Sequence, residues 1–343
     1  MEEISINKSN QLKVIAILMM LCLHLFNKDY NNLFEPLIFI GSKPLSYYIS
    51  LFCDACVPIF AFVSGYGLYF KYQQNSDNYV TDNFLRLKKL YINYWIIIAI
   101  FPVIIGSIIG KEGFPGSFVK LSLNLSGLSN TYNGAWWFFT VYVIFVLSSG
   151  FWFRLMEYIN VYLYVILLFC IYIIFFYFRV YKADYFDQEI LDAVQDTVTK
   201  FFCTLFQFML GAFALKFKWN TKITKIFSGI NFKNQLIIIL IFGLVVLHGL
   251  IPNFIIAPFT GLCFLMLFNQ LDLNKYFVRF LDFLNPHCTN MWLIHMFFYL
   301  VFFQNFIYSF QYPIIIFFVL VLLCLLSSYI INFIYNKILI VIK

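Results

Sequence analysis

The chain has 343 residues, of which 62% are apolar, 22% aromatic and only 11% charged, with a mean hydropathy of +0.84 and a net charge of +7. Soluble domains are nearer half apolar and a quarter charged, so one water-soluble core cannot absorb this much apolar surface. Apolar runs of about 17–25 residues, the length that crosses a ~30 Å hydrocarbon layer, recur throughout and exclude a soluble enzyme, a nucleic-acid-binding protein, a secreted disulfide scaffold and an outer-membrane barrel. An all-α polytopic membrane protein is predicted, a single transmembrane domain over residues 1–343.

In chain order, ten spans are expected near 11–27, 45–70, 90–109, 135–153, 158–178, 199–217, 234–251, 253–268, 288–309 and 313–335. Ten spans place both termini on one side. That side then holds 16 of the 23 Lys and Arg, against 7 on the other. By the positive-inside bias it is the cytoplasmic side. The opposite loops are balanced or acidic, notably 183–196, ADYFDQEILDAVQD. The long Gly-, Ser- and Asn-rich loop 110–134 reads as a candidate lid or acceptor contact, or as a plain surface loop. The eight cysteines lie in or beside apolar runs and read as packing residues, including the Cys53–Cys56 pair. No metal site is expected.

Titratable groups at membrane depth are costly and therefore candidates for function. His24 follows Lys13 by eleven residues, a rise of ~16 Å and nearly three whole turns, so both share one helix face. With Lys13 at the inner edge, His24 sits near mid-membrane. This span reads as short, with ~15 apolar residues or ~22 Å against the ~30 Å it should cross, which favours an opening onto a watery recess. Asp54 is the one carboxylate well inside a span, some 10 Å higher than His24 by simple rise. His295 lies eight residues past the inner end of its span, ~12 Å deep and close to the depth of His24. Two histidines at one depth suggest one polar cavity, with Asp54 an orienting partner if tilt closes the gap. His248 and His287 read as interfacial. Arg86, Lys88 and Lys89 form a basic cluster that, taken alone, reads first as an anchor on acidic lipid heads and second as a grip on the phosphates of a nucleotide-like donor.

Five stretches carry a family resemblance. SNQLKVIAILMMLCLHLF, with Lys13 eleven positions before His24, resembles the first helix of the membrane-bound acyltransferase family 3, in particular its bacterial cell-surface polysaccharide O-acetyltransferases. FVSGYGLYF, carrying Ser64 and Tyr66, resembles the family's FxSGY motif. Arg86-Leu87-Lys88-Lys89 resembles its RxxR, NGAWWFFTVY its Trp-Phe motif before a membrane Tyr, and HCTNMWLIHMFF its late signature ending on His295. Two positions depart from the pattern: Leu23 replaces the first of two histidines, and Lys89 replaces an arginine, keeping charge without a bidentate fork.

The resemblance implies transfer of an acyl group, usually acetyl, from cytoplasmic acetyl-CoA to a hydroxyl of a glycan or lipid-linked glycan. The setting implied is a bacterial cytoplasmic membrane, and the chain is a possible homo-oligomer. In this reading His24 is the base, supported by Asp54 and His295. Lys13, Arg86, Lys88 and Lys89 hold the donor. Ser64 and Tyr66 contact substrate, while Trp136 and Trp137 at the outer mouth either stack on a sugar ring or anchor the chain at the membrane interface. The competing class is a polysaccharide polymerase, exporter or flippase, which spreads more charge through its helices. A secondary transporter would show halves with matching broken helices, and none is visible here.

Overall fold

The computed structural model describes residues 3–27, 33–75, 77–183, 186 and 189–342. Residues 28–32, which follow the first span, and 184, 185, 187 and 188 of the acidic loop lie outside the described residues. Among the described residues the only strands are the two-residue pair Phe39–Ile40 and Lys43–Pro44; the rest of the regular structure is helical.

Among the described residues, eight helices are long and apolar enough to cross a membrane. In chain order, α1 is Ile6–Phe26, α2 Leu45–Gln74, α3 Tyr79–Ile109, α4 Gly134–Tyr158, α5 Val161–Tyr181, α6 Glu189–Lys216 and α7 Lys233–Leu250. Then come the shorter α8, Phe254–Gln270, the polar-faced α9, Lys275–Leu284, and α10, Cys288–Met296. The eighth long helix is the last, α11, Pro313–Ile342. Of the ten expected spans, the eighth is thus α8, and the ninth is broken. There α10 widens into a π-helical stretch, Phe297–Phe302, and restarts as a short helix, Gln304–Tyr308. Such wide turns free backbone groups, which in a membrane must be met by neighbouring helices.

The local starts follow from capping. Ser5 accepts from the Lys8 backbone N–H at 3.2 Å and so begins α1 five residues earlier than hydropathy alone suggests. At 21 residues, α1 is about 32 Å long, not short; only its apolar part is. Asn160 caps α5 in the same way. α2 winds tighter at Cys53–Ala55, a 3-10 turn that carries Asp54.

Helices α2 and α6 form the closest crossing. A Cβ placed on Gly65 would run into the Phe208 backbone carbonyl, and one on Gly211 into that of Phe62. Small residues permit this approach, and van der Waals contact then holds helices that lipid cannot drive together. The aromatic core around them stacks Phe208 on Phe145 at 4.3 Å and Tyr94 on Phe139 at 4.1 Å. By contrast α5, α7 and α11 expose most of their apolar surface, as lipid-facing helices do.

Candidate active site

α10 is the element that positions His295, and polar contacts pin it from two sides. Asn290 accepts from Asn93 at 2.7 Å and donates to Ser328 and Asn332, each at 2.8 Å. His287, expected at an interface, is instead buried against Ser328 at 2.9 Å. On the other side Trp136 Nε1 and Asn133 Nδ2 both donate to the Leu293 carbonyl, at 2.9 and 2.8 Å. Trp136 is 1% exposed and packs edge-on against Tyr94 and Phe297. It therefore does not face a sugar, as the sequence suggested; its indole N–H must find a carbonyl when buried, and that carbonyl belongs to α10.

His24 and His295 meet. His24 Nδ1 lies 2.6 Å from His295 Nε2, with the rings nearly parallel at 11° and their centroids 4.9 Å apart. His295 Nδ1 lies 2.7 Å from the Trp292 carbonyl oxygen. A carbonyl only accepts, so His295 carries its proton on Nδ1 and presents a lone pair at Nε2. His24 must then donate from Nδ1, which leaves Nε2 of His24 as a basic nitrogen. His295 is fully buried, while His24 is half-buried and lines a cavity. The Tyr299 ring stacks 6.2 Å from His24 and 5.9 Å from His295.

The His24 cavity has a volume of about 340 Å³ and is walled by α1, α2, α4, α5, α6, α8 and, through Trp292, α10. Asp54 lines it, with Gln207, Thr204, Trp137 and Arg179. His24 bonds to His295, and the charge that bears on Asp54 is Arg179. No residue of the 110–134 loop reaches this cavity. That loop folds on itself, with Asn124 and Tyr132 buried and Tyr132 donating to the Pro115 carbonyl. Trp137 does line the cavity, but its ring carries the Arg179 guanidinium at 5.3 Å and the Lys200 ammonium at 5.7 Å. Its π-face is thus engaged by cations.

A second cavity, about 770 Å³, opens at the other end of α1. Lys13, Arg86, Ser64, Tyr66 and Lys71 line it, together with Glu3–Ile6 ahead of and at the start of the helix. Arg86 sits beside the Tyr142 hydroxyl, and Lys13 Nζ donates to Asn10 at 3.3 Å. Lys88 and Lys89, expected to help hold the donor, are exposed and outside this lining, because successive helix positions are turned by about 100°. Ser64 and Tyr66 lie with the basic residues rather than with His24.

The two cavities approach each other inside the helix bundle. On α4 the lining passes from Phe138 to Tyr142, and on α2 from Phe60 to Val63. These steps correspond to a rise of about 4.5–6 Å. On α1 it passes from Met20 to Lys13, about 10 Å.

The helical bundle thus holds a bonded histidine pair at one cavity and a basic cavity behind it. The model of the acyltransferase domain of acyltransferase family 3 matches residues 6–333, nearly the whole chain, and the chain belongs to that family. It is a multi-pass membrane acyltransferase. No curated protein and no solved structure matches it.

Two groups in the His24 cavity escaped the sequence reading. Arg179 stands at the edge of a span, where a basic residue reads as an anchor. Gln207 sits mid-helix on α6 as an ordinary polar residue; it is 5% exposed, and its Oε1 has no hydrogen-bond partner among the described residues.

Proposed function

We propose that this protein moves an acetyl group from cytoplasmic acetyl-CoA to a hydroxyl of a bacterial cell-surface polysaccharide or its lipid-linked precursor. The observation that carries the reading is the pairing of His24 with His295 at the floor of one cavity, with a basic cavity at the far end of the same helix. In this account the Lys13 and Arg86 end faces the cytoplasm, consistent with the basic-residue bias, and holds the donor phosphates by charge-assisted contacts. The acetyl-bearing arm reaches across the thin septum near Phe60 and Phe138. The acceptor hydroxyl enters from the opposite side and places its O–H against His24 Nε2.

The hydroxyl proton passes to His24 Nε2 as the oxygen attacks the thioester carbonyl carbon. The carbon–sulfur bond breaks, the sulfur leaves with its electron pair, and the imidazolium returns the proton to it. His295 Nε2 accepts from the His24 imidazolium through a charge-assisted bond, which lowers the energy of the charged intermediate state. Membranes containing the protein, incubated with acetyl-labelled acetyl-CoA, should transfer label to glycan. Label that stays entirely on CoA and water-soluble acetate would refute the proposal.

A further inference from the structure

The His24 cavity contains a guanidinium that the acetyl-transfer step above does not use. Arg179 lies in the last turn of α5, its guanidinium carbon 5.3 Å from the Trp137 ring centre and 4.7 Å from that of Phe254. Two rings cover a planar cation and fix its orientation, leaving its N–H edges as the directions from which a ligand can bind. The Phe254 segment is itself held, since Tyr172 donates to the Ile255 carbonyl at 2.9 Å. Among the described residues the ion pairs are Lys200–Asp196 and Lys233–Asp272, so no carboxylate engages Arg179 directly. Asp54 faces it within the same cavity, and the Cys203 thiol lies beside it. The nearby Lys200 is already matched, 2.5 Å from Asp196. The second observation is Gln207. Its buried Oε1, unpartnered and in the cavity lining, is an acceptor waiting for a hydroxyl.

From this geometry, and resting on the glycan-acylation reading, we infer that the acceptor carries an anionic oxygen group, a carboxylate or a phosphate, read by Arg179. The fork of N–H donors takes two oxygens of one anion at once, which a neutral sugar cannot supply. A hydroxyl of the same sugar donates to Gln207 Oε1. Trp137 acts through Arg179 as a positioning residue rather than as a platform for the sugar ring. The partition is specific: Arg179 selects the charged substituent near the ends of α5 and α4, while His24 treats the hydroxyl to be acylated.

The test uses the purified full-length protein and two pairs of probes: trigalacturonate beside its neutral methyl ester, and maltotriose phosphate beside unmodified maltotriose. Calorimetric binding, made without donor, reads Arg179 apart from chemistry. Wild-type protein should bind at least one anionic probe about tenfold or more tightly than its neutral counterpart, and Arg179→Gln should bring that ratio close to one. Arg179→Lys, which keeps the charge but loses the fork, should retain part of the preference and covers the case in which Arg179→Gln does not fold. A preference for carboxylate or for phosphate identifies which anion is read. Equal binding of charged and neutral probes by wild type, or a charge preference untouched in a folded Arg179 variant, would overturn the inference. If anions bind as described but no acetyl reaches any acceptor from labelled acetyl-CoA, the acyl-transfer reading fails while the Arg179 assignment stands.

Discussion

His24 Nδ1 and His295 Nε2 share one proton across 2.6 Å, and the direction of that sharing is set by the Trp292 carbonyl behind them. The pair therefore works only if position 295 both donates and accepts. His295→Gln can do both, with its amide N–H₂ toward Trp292 and its oxygen toward His24. His295→Leu can do neither. Leucine should lower acetyl transfer by roughly 10²-fold through misplacement of His24, and glutamine should restore a substantial part. Because His295 acts through His24, the pH profile is the discriminating readout. Activity should fall on acidification, as His24 Nε2 takes up a proton and ceases to be a base, and the midpoint should move in His295→Leu. An unmoved midpoint, or glutamine no better than leucine, would reduce His295 to packing.

The basic cavity separates residues that the sequence placed together. Arg86 lines it and Lys88 and Lys89 do not. Arg86→Ala should weaken acetyl-CoA binding by a charge-assisted contact, ~1.5–3 kcal/mol. Lys88→Ala and Lys89→Ala should leave donor affinity close to wild type. Equilibrium binding of acetyl-CoA to purified protein measures all three; equal losses at Lys88 and Arg86 would contradict the assignment.

Gly65 belongs to the FxSGY stretch, and its role is steric. Gly65→Ala forces a methyl group into the Phe208 carbonyl and must push α2 from α6, an overpacking that costs about 1–3 kcal/mol. Gly67→Ala meets nothing within 4 Å and serves as the comparison. Thermal unfolding in detergent should show a lower midpoint for the first and little change for the second.

The adjacent tryptophans should behave differently. Trp136→Phe leaves the Leu293 carbonyl with one donor fewer and loosens α10, so it should lower stability by about 1 kcal/mol and displace His295. Trp137→Ala removes one of the rings holding Arg179, so it should raise the acceptor KM more than it lowers stability. The reverse pattern would restore Trp136 to the substrate.

Much of this was legible beforehand, for identifiable reasons. Apolar run length marks membrane helices directly, because it is set by bilayer thickness, and helix rise from Lys13 put His24 at the depth of His295. That the two rings bond to each other was not legible: they are 271 residues apart, and only packing of α1 on α10 decides it. Trp136 and Trp137 differ by one position, and hydropathy does not say which of two neighbours turns inward at a helix start. Arg179 was hidden by its place at a span end, where the anchoring role of basic residues is the commoner one. The break after His295 was hidden too, since a run of aromatic residues reads as continuous helix.

The most direct measurement is acetyl transfer to glycan by His24→Ala, in membranes carrying the protein at wild-type abundance. A positioned general base contributes ~10²–10⁴ in rate, because without it the hydroxyl must lose its proton to water. The account predicts loss of transfer by at least the lower of these factors, with donor binding at the Lys13 and Arg86 cavity intact. Near-wild-type transfer by His24→Ala would contradict it.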